Sequence, residues 1–272
     1  MKGKTSMKDF HKIDFHAHIY PEKIAAKAVK NVGDFYHLEM SENGLPEQLL
    51  ENGKKINCLH YLVHSVATTP KQVESINRFI AAECAKHPEF VGFATLHPFS
   101  PKLEEDIELI RELGLHGVKI HPDFQKFALD SEEAVRMFKL LAGEYPVLIH
   151  TGDYRYEFSN PIRMARALDA VPDLVAIGAH FGGYSEWEES RKHLLGRENF
   201  YIDTSSALFK LEPQTAADMI REHGVERTFF GTDFPMWNHE KEYERFMKLP
   251  LTDDERRMIF YDNAYKFLKL DK

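Results

Sequence analysis

A short apolar segment followed by a longer stretch with helical spacing recurs eight times in this chain of 272 residues, and nothing else in it constrains the fold as strongly. The first segment is "KIDFHAHIYP" (12–21), with helical patterns before residue 55. Then come "INCLHYLVHSV" with 70–86, "FVGFATLHP" with 101–113, "GVKIHP" with 131–142, and "PVLIHTG" with 161–168. The last three are "LVAIGAHFGG" with 184–195, "NFYIDTS" with 212–223, and "RTFFGTDFP" with 239–247. A helix between strands carries the chain back to the edge where it started, so successive strands run parallel. Eight such units fit a closed (β/α)8 barrel, and the spacing predicts an α/β TIM barrel forming one domain over 1–272. An open doubly wound sheet is the competitor, but no GxGxxG turn follows the first strand. "TDDE" (252–255) has the form of a capping box that opens a terminal helix running to 268.

Active sites of such barrels lie at the C-terminal ends of the strands. The polar residues gather there: His16 and His18 end the first strand, Lys119 and His121 the fourth, His150 the fifth, His180 the sixth and Asp233 the eighth. Side chains alternate across a strand, so His16 and His18 are expected to share a face with Asp14, while Ile13, Phe15, Ala17 and Ile19 share the other. The same alternation puts Ala176, Gly178 and His180 inside with Val175 and Ile177 towards the helices, and aligns Phe229, Gly231 and Asp233. It turns Lys119 inward and Val118 and Ile120 outward, and leaves the direction of Asp203 and Thr204 undecided. Imidazoles with a carboxylate suit Zn²⁺, Mn²⁺ or Fe²⁺, and three or four such ligands with an open position make a catalytic site.

A formal charge of −8 disfavours nucleic acid and anionic membrane surfaces, which leaves a small molecule as the expected partner, with a homo-oligomer left open. The opening residues "MKGKTSMKDF" lack a signal-peptide core and no apolar run approaches a membrane span, so a cytoplasmic location is expected. Cys58 and Cys84 lie far from the histidine motifs and read as buried thiols rather than a disulfide or a zinc site.

"DFHAHIYP", "GVKIHPDFQ", "PVLIHTG", "AIGAHFGG" and "FFGTDFP", in that order, with the ending "YDNAYKFL", resemble the amidohydrolase superfamily, in particular the group that includes aminocarboxymuconate-semialdehyde decarboxylase. The resemblance implies that His16, His18, His150 and Asp233 are metal ligands, with Zn²⁺ as the first expectation, and that His180 polarises the bound water or substrate. Other branches of the superfamily carry a carboxylated lysine on the fourth strand, so Lys119 is either a free amine beside one ion or a carbamate bridging two.

The expected chemistry is hydrolysis of a small ester, lactone or amide, with a metal activating water and Asp233, His180 and Lys119 as catalytic groups. The alternative is metal-dependent, non-oxidative decarboxylation of a small unsaturated or aromatic acid, which uses the same residues. Arg155 is the candidate to hold a substrate carboxylate, and Phe234 with Trp237 the candidate aromatic wall. His64 and His97 stand near strand ends, as pocket-lining or hydrogen-bonded structural residues, and are not placed among the ligands.

Overall fold

The computed structural model describes residues 10–270, so most of the opening segment read for a signal peptide lies outside the described residues. Strands form at Lys12–His18, Cys58–His64, Phe90–Gly92 with Ala94–Thr95, Val118–Ile120, Val147–Ile149, Ala176–Gly178, Phe200–Asp203 and Thr228–Phe229. Each pairs in parallel with the next. The third strand is interrupted at Phe93, yet the ladder continues across it, Phe93 N donating to Val63 O at 2.9 Å and Ala94 N to Gly117 O at 2.8 Å. The ring closes where Phe15 N donates to Phe230 O (2.9 Å), Asp233 N to His16 O (2.9 Å) and His18 N to Phe234 O (2.7 Å). The chain is therefore a single (β/α)8 barrel.

Two apolar cores follow from the two faces of these strands. Val63, Val118, Ile120, Val147, Ile149, Ala176 and Ile202 pack outward under the helices. Ile13, Phe15, Leu62, Phe93, Leu148, Ile177 and Phe229 fill the barrel, where Ala264 and Leu268 of the C-terminal segment join them. Phe15 stacks on Phe229 with centroids 4.0 Å apart and meets Phe267 edge-on at 5.8 Å. Truncating such a ring in a packed core costs about 3–5 kcal/mol. The expected capping box forms, Thr252 Oγ1 accepting from Glu255 N while the Glu255 carboxylate accepts from Thr252 N.

Two expectations of simple alternation fail. The first strand shifts register between Asp14 and Ala17, so that three steps on it face two steps, Tyr61 to Val63, on its neighbour. This β-bulge turns Phe15 and His16 both inward and leaves Asp14 on the outer side. There its carboxylate accepts from Thr232 N (2.9 Å) and Thr232 Oγ1 (2.6 Å) and lies 3.0 Å from His239 Nε2. In the sixth strand Ile177 points into the barrel and Ala176 towards the helices, the reverse of the reading from small residues. His180 reaches the interior instead because the chain leaves the strand in the left-handed region, with φ 59° at both His180 and Phe181. Lys119 faces inward as expected, level with Leu148 and Ile177.

Candidate metal centre

The bulge and the barrel closure bring His16, His18 and Asp233 together. His16 Nε2 and His18 Nε2 are 3.3 Å apart, and Asp233 Oδ1 lies 3.4 Å from the first and 3.5 Å from the second. Donors bound about 2.1 Å from one cation at tetrahedral to octahedral angles stand about 3.0–3.4 Å apart, so the three atoms fit a shared divalent ion. Gly231 makes the approach possible, since a Cβ there would meet His16 Cβ at 3.0 Å.

The surroundings fix which atoms would face a cation seated there. His16 Nδ1 donates to Asp203 Oδ2 at 2.8 Å, which selects the tautomer with a free Nε2. Asp203 Oδ1 accepts from Ser205 N (3.0 Å), Ser205 Oγ (2.5 Å) and His180 N (3.2 Å), so the carboxylate is held rigidly. Ser206 Oγ donates to Asp233 Oδ2 at 2.5 Å and leaves Oδ1 turned towards the two imidazoles. Burial is the main force lowering the His16 and His18 pKa values, with the Lys119 charge adding to it and the Asp233 carboxylate pulling the other way; the lowering favours the neutral form that ligates a cation. Burial works against the Asp233 charge, but a proton shared with His16, His18 and His180 before a cation binds, together with the His18 hydrogen bond, outweighs it and holds the carboxyl well below the usual range.

Two further groups border the same space. His180 Nδ1 lies 3.0 Å from Ser205 O, which assigns its hydrogen to Nδ1 and leaves Nε2 available to exchange a proton. Burial pushes the Lys119 amine down to about 8, against the pull of Asp203 and Asp233. A cavity of about 790 Å³ is lined by His16, His18, Lys119, His150, His180 and Asp233.

His150 joins this cavity from a second cluster. Its ring stacks on His121 with centroids 3.9 Å apart, its Nε2 lies 3.8 Å from Asp123 Oδ2, and that Nε2 is buried with no hydrogen-bond partner among the described residues. His121 Nδ1 accepts from Phe124 N (3.3 Å), so Nε2 carries the hydrogen and donates to Tyr36 Oη at 2.8 Å. Sequence reasoning missed Tyr36, Asp123 and Ser205 because none repeats a strand-end pattern. Asp203 had such a position in "NFYIDTS", and only its direction was lacking.

The expected substrate-binding residues are used elsewhere. Arg155 donates from Nε and Nη2 to Asp153 (2.9 and 2.6 Å) and from Nη1 to Phe35 O (2.5 Å), which occupies the fork that was to hold a carboxylate. Asp233 adopts φ 58°, and the chain then sends Phe234 into the outer core, fully buried. Trp237 donates to Ser206 Oγ (2.9 Å) and stacks with Arg245. The aromatic lining of the cavity comes instead from Tyr20, Phe35, Tyr36, Phe79 and Phe124. His97 Nδ1 accepts from Phe99 N at 3.3 Å, a structural arrangement. Both cysteines are free thiols, Cys58 buried and Cys84 half-buried.

Fold and site together define a (β/α)8 barrel whose strand ends carry a histidine–aspartate centre of the kind that binds a divalent cation. The chain belongs to the amidohydrolase family, whose model matches residues 13–270. A curated relative, the γ-resorcylate decarboxylase of Polaromonas sp., is 24% identical over 270 residues, spanning 77% of this chain and 81% of its own length. Among solved structures, a dihydroxybenzoic acid decarboxylase from Polaromonas sp. with bound manganese and 2-nitroresorcinol matches with TM-score 0.73 at 19% identity, covering 97% of this chain and 98% of that one. A 5-carboxyvanillate decarboxylase from Novosphingobium aromaticivorans, complexed with manganese and 4-hydroxy-3-methoxy-5-nitrobenzoic acid, matches with TM-score 0.73 at 17% identity over 96% and 97% of the two chains. Among the described residues no helix is long and apolar enough to cross a membrane.

Proposed function

We propose that this protein is a metal-dependent decarboxylase of a small aromatic or unsaturated carboxylic acid. The observation that carries the reading is the similarity to γ-resorcylate decarboxylase along 77% of the chain, on a fold shared with decarboxylases of hydroxylated benzoic acids. The hydrolase expectation rested on the same residues, and the relatives favour the other reaction. His16, His18 and Asp233 hold the cation, with His150, whose buried Nε2 is unpaired, as the ligand from the cavity side. Manganese, present in the two structural neighbours, is the ion to test first, with zinc beside it.

When bound, the ion supplies Lewis-acid attraction that orients the substrate carboxylate and an adjacent oxygen. The Lys119 amine adds positive charge on the same side in its protonated form. The aromatic side chains Phe35, Tyr36 and Phe124 give the ring a flat, dry surface. His180, anchored through its Nδ1 hydrogen on Ser205, acts from its doubly protonated form and transfers the second proton, on Nε2, to the carbon bearing the carboxylate, leaving the neutral ring. The C–C bond then breaks, its electron pair restores the π system that protonation had interrupted, and CO₂ leaves; net, one proton replaces one carboxylate.

The test loads the purified protein with Mn²⁺ or Zn²⁺ and measures CO₂ release from hydroxylated benzoates against hydrolysis of esters, lactones and amides. CO₂ release from at least one acid is expected. Ester, lactone or amide turnover with no CO₂ from any acid would overturn the proposal.

A further inference from the structure

We propose that His64, the last residue of the second strand, is an additional protein ligand of the cation; the proposal rests on reading His16, His18 and Asp233 as a metal site. His64 is the direct cross-strand partner of His18. Neighbours in register on parallel strands project the same way, so the barrel delivers the His64 ring to the ring of His18. The two rings meet edge to face with centroids 4.4 Å apart, and the His64 ring lies 4.9 Å from that of His16. One donor atom from each of the three histidines falls within a sphere in which all lie within 4.8 Å of one another. Two donors on opposite sides of a shared cation stand about 4.2 Å apart, so a small side-chain adjustment admits His64 to the same ion.

The hydrogen-bond inventory points the same way. His64 is fully buried, and neither ring nitrogen has a hydrogen-bond partner among the described residues. A neutral imidazole carries one donor and one acceptor, and burying both unmet is unfavourable. Other buried histidines are better served. His97 and His223 each accept a backbone N–H, and His239, which also lacks a well-directed hydrogen bond, at least faces Asp14 at 3.0 Å. Substrate does not explain His64 either, because the residues that follow it, Ser65 and Val66, line the cavity and His64 does not. A cation seated on His16 and His18 gives one of its nitrogens a partner with the fold unchanged.

The consequence is a centre richer in nitrogen than the set His16, His18, His150 and Asp233. It is tested on the metal-loaded full chain by two readouts that need no turnover. In the first, Mn²⁺ and Zn²⁺ affinities of wild type and His64→Leu are compared by chelator competition, with the melting temperature of each metal-free protein as the check on folding. His64→Leu is expected to weaken binding about 10- to 100-fold or more, with little change in the metal-free melting temperature. In the second, pulsed EPR counts imidazole nitrogens around Cu²⁺ in His150→Gln, which keeps His64 and so does not depend on the leucine variant folding. Three coordinated imidazoles are expected there. Two imidazoles, or wild-type affinity in a folded His64→Leu, would overturn the proposal and leave the His16–His18–Asp233 site standing. Failure of the wild-type protein to bind Mn²⁺, Zn²⁺ or Cu²⁺ would overturn the metal site itself, and this proposal with it.

Discussion

Two clusters of histidine and aspartate border one cavity, and they keep their carboxylates in different states. Asp233 accepts from Ser206 Oγ, lies against His16 and His18, and is held ionised. Asp123 accepts from Ser159 Oγ at 2.6 Å, its Oδ1 is buried with no partner among the described residues, and burial pushes its carboxyl up to about 7. Asp153 and Glu186 add negative charge that pushes it the same way. Burial opposes charge in both places. The donors and charges within a few ångströms decide the outcome, and only the cluster that keeps its negative charge is prepared for a cation. His150 stands between them, its ring 5.0 Å from that of His180 and 3.9 Å from that of His121.

The largest expected effect comes from exchanging the clusters as mutational targets. His18→Ala should weaken divalent-metal binding more than about 100-fold and abolish measurable turnover, since even outer residues of such sites are worth 10- to 100-fold. His121→Ala should keep the ion. Elemental analysis of both variants checks this, and equal metal loss would erase the distinction between the clusters.

Next in size is His180. His180→Asn should lower kcat about 10²- to 10⁴-fold with metal content unchanged, whereas His150→Ala should lower occupancy together with activity. If His180→Asn loses metal as completely as His150→Ala, His180 is itself a ligand.

Asp203 acts through His16, to whose Nδ1 it is bonded at 2.8 Å. Asp203→Asn should therefore weaken metal affinity about 10- to 100-fold. Affinity within twofold of wild type by chelator competition would show that packing alone orients the ring.

The smallest effect reads the second cluster through stability. With its carboxyl raised from 3.8 to about 7, folded Asp123 retains a proton that the unfolded chain releases. That contribution is fully present below pH about 4 and is lost as pH rises through about 7, with an upper limit of about 4 kcal/mol. Asp123→Asn mimics the protonated form, so the metal-free variant should melt several degrees above wild type at pH 8 and level with it at pH 4. A gain of the same size at both values would remove titration as its cause.

Much of this molecule is legible in the chain. The strand–helix alternation fixes a parallel barrel because each crossover returns to one edge, and the strand ends mark the mouth because the fold leaves its loops there. His16, His18, Lys119, His150, His180 and Asp233 meet around one cavity as that rule predicts, and Thr252 caps its helix by a contact three residues long. What only the tertiary structure decides lies where the backbone departs from regular geometry or where side chains distant in sequence compete. The bulge that separates Asp14 from His16 answers to the register of the second strand, where Asp14 pairs with Tyr61 and Ala17 with Val63. The left-handed residues His180 and Phe181 overrule alternation just where the sixth strand aims its histidine. Arg155 is taken up by Asp153, Phe234 by the outer core, and His64 becomes a neighbour of His18 only through strand pairing. Alternation is a local property that a segment carries with it. Register, closure and competition for partners are set by the whole ring of strands, and the site is assembled at that level.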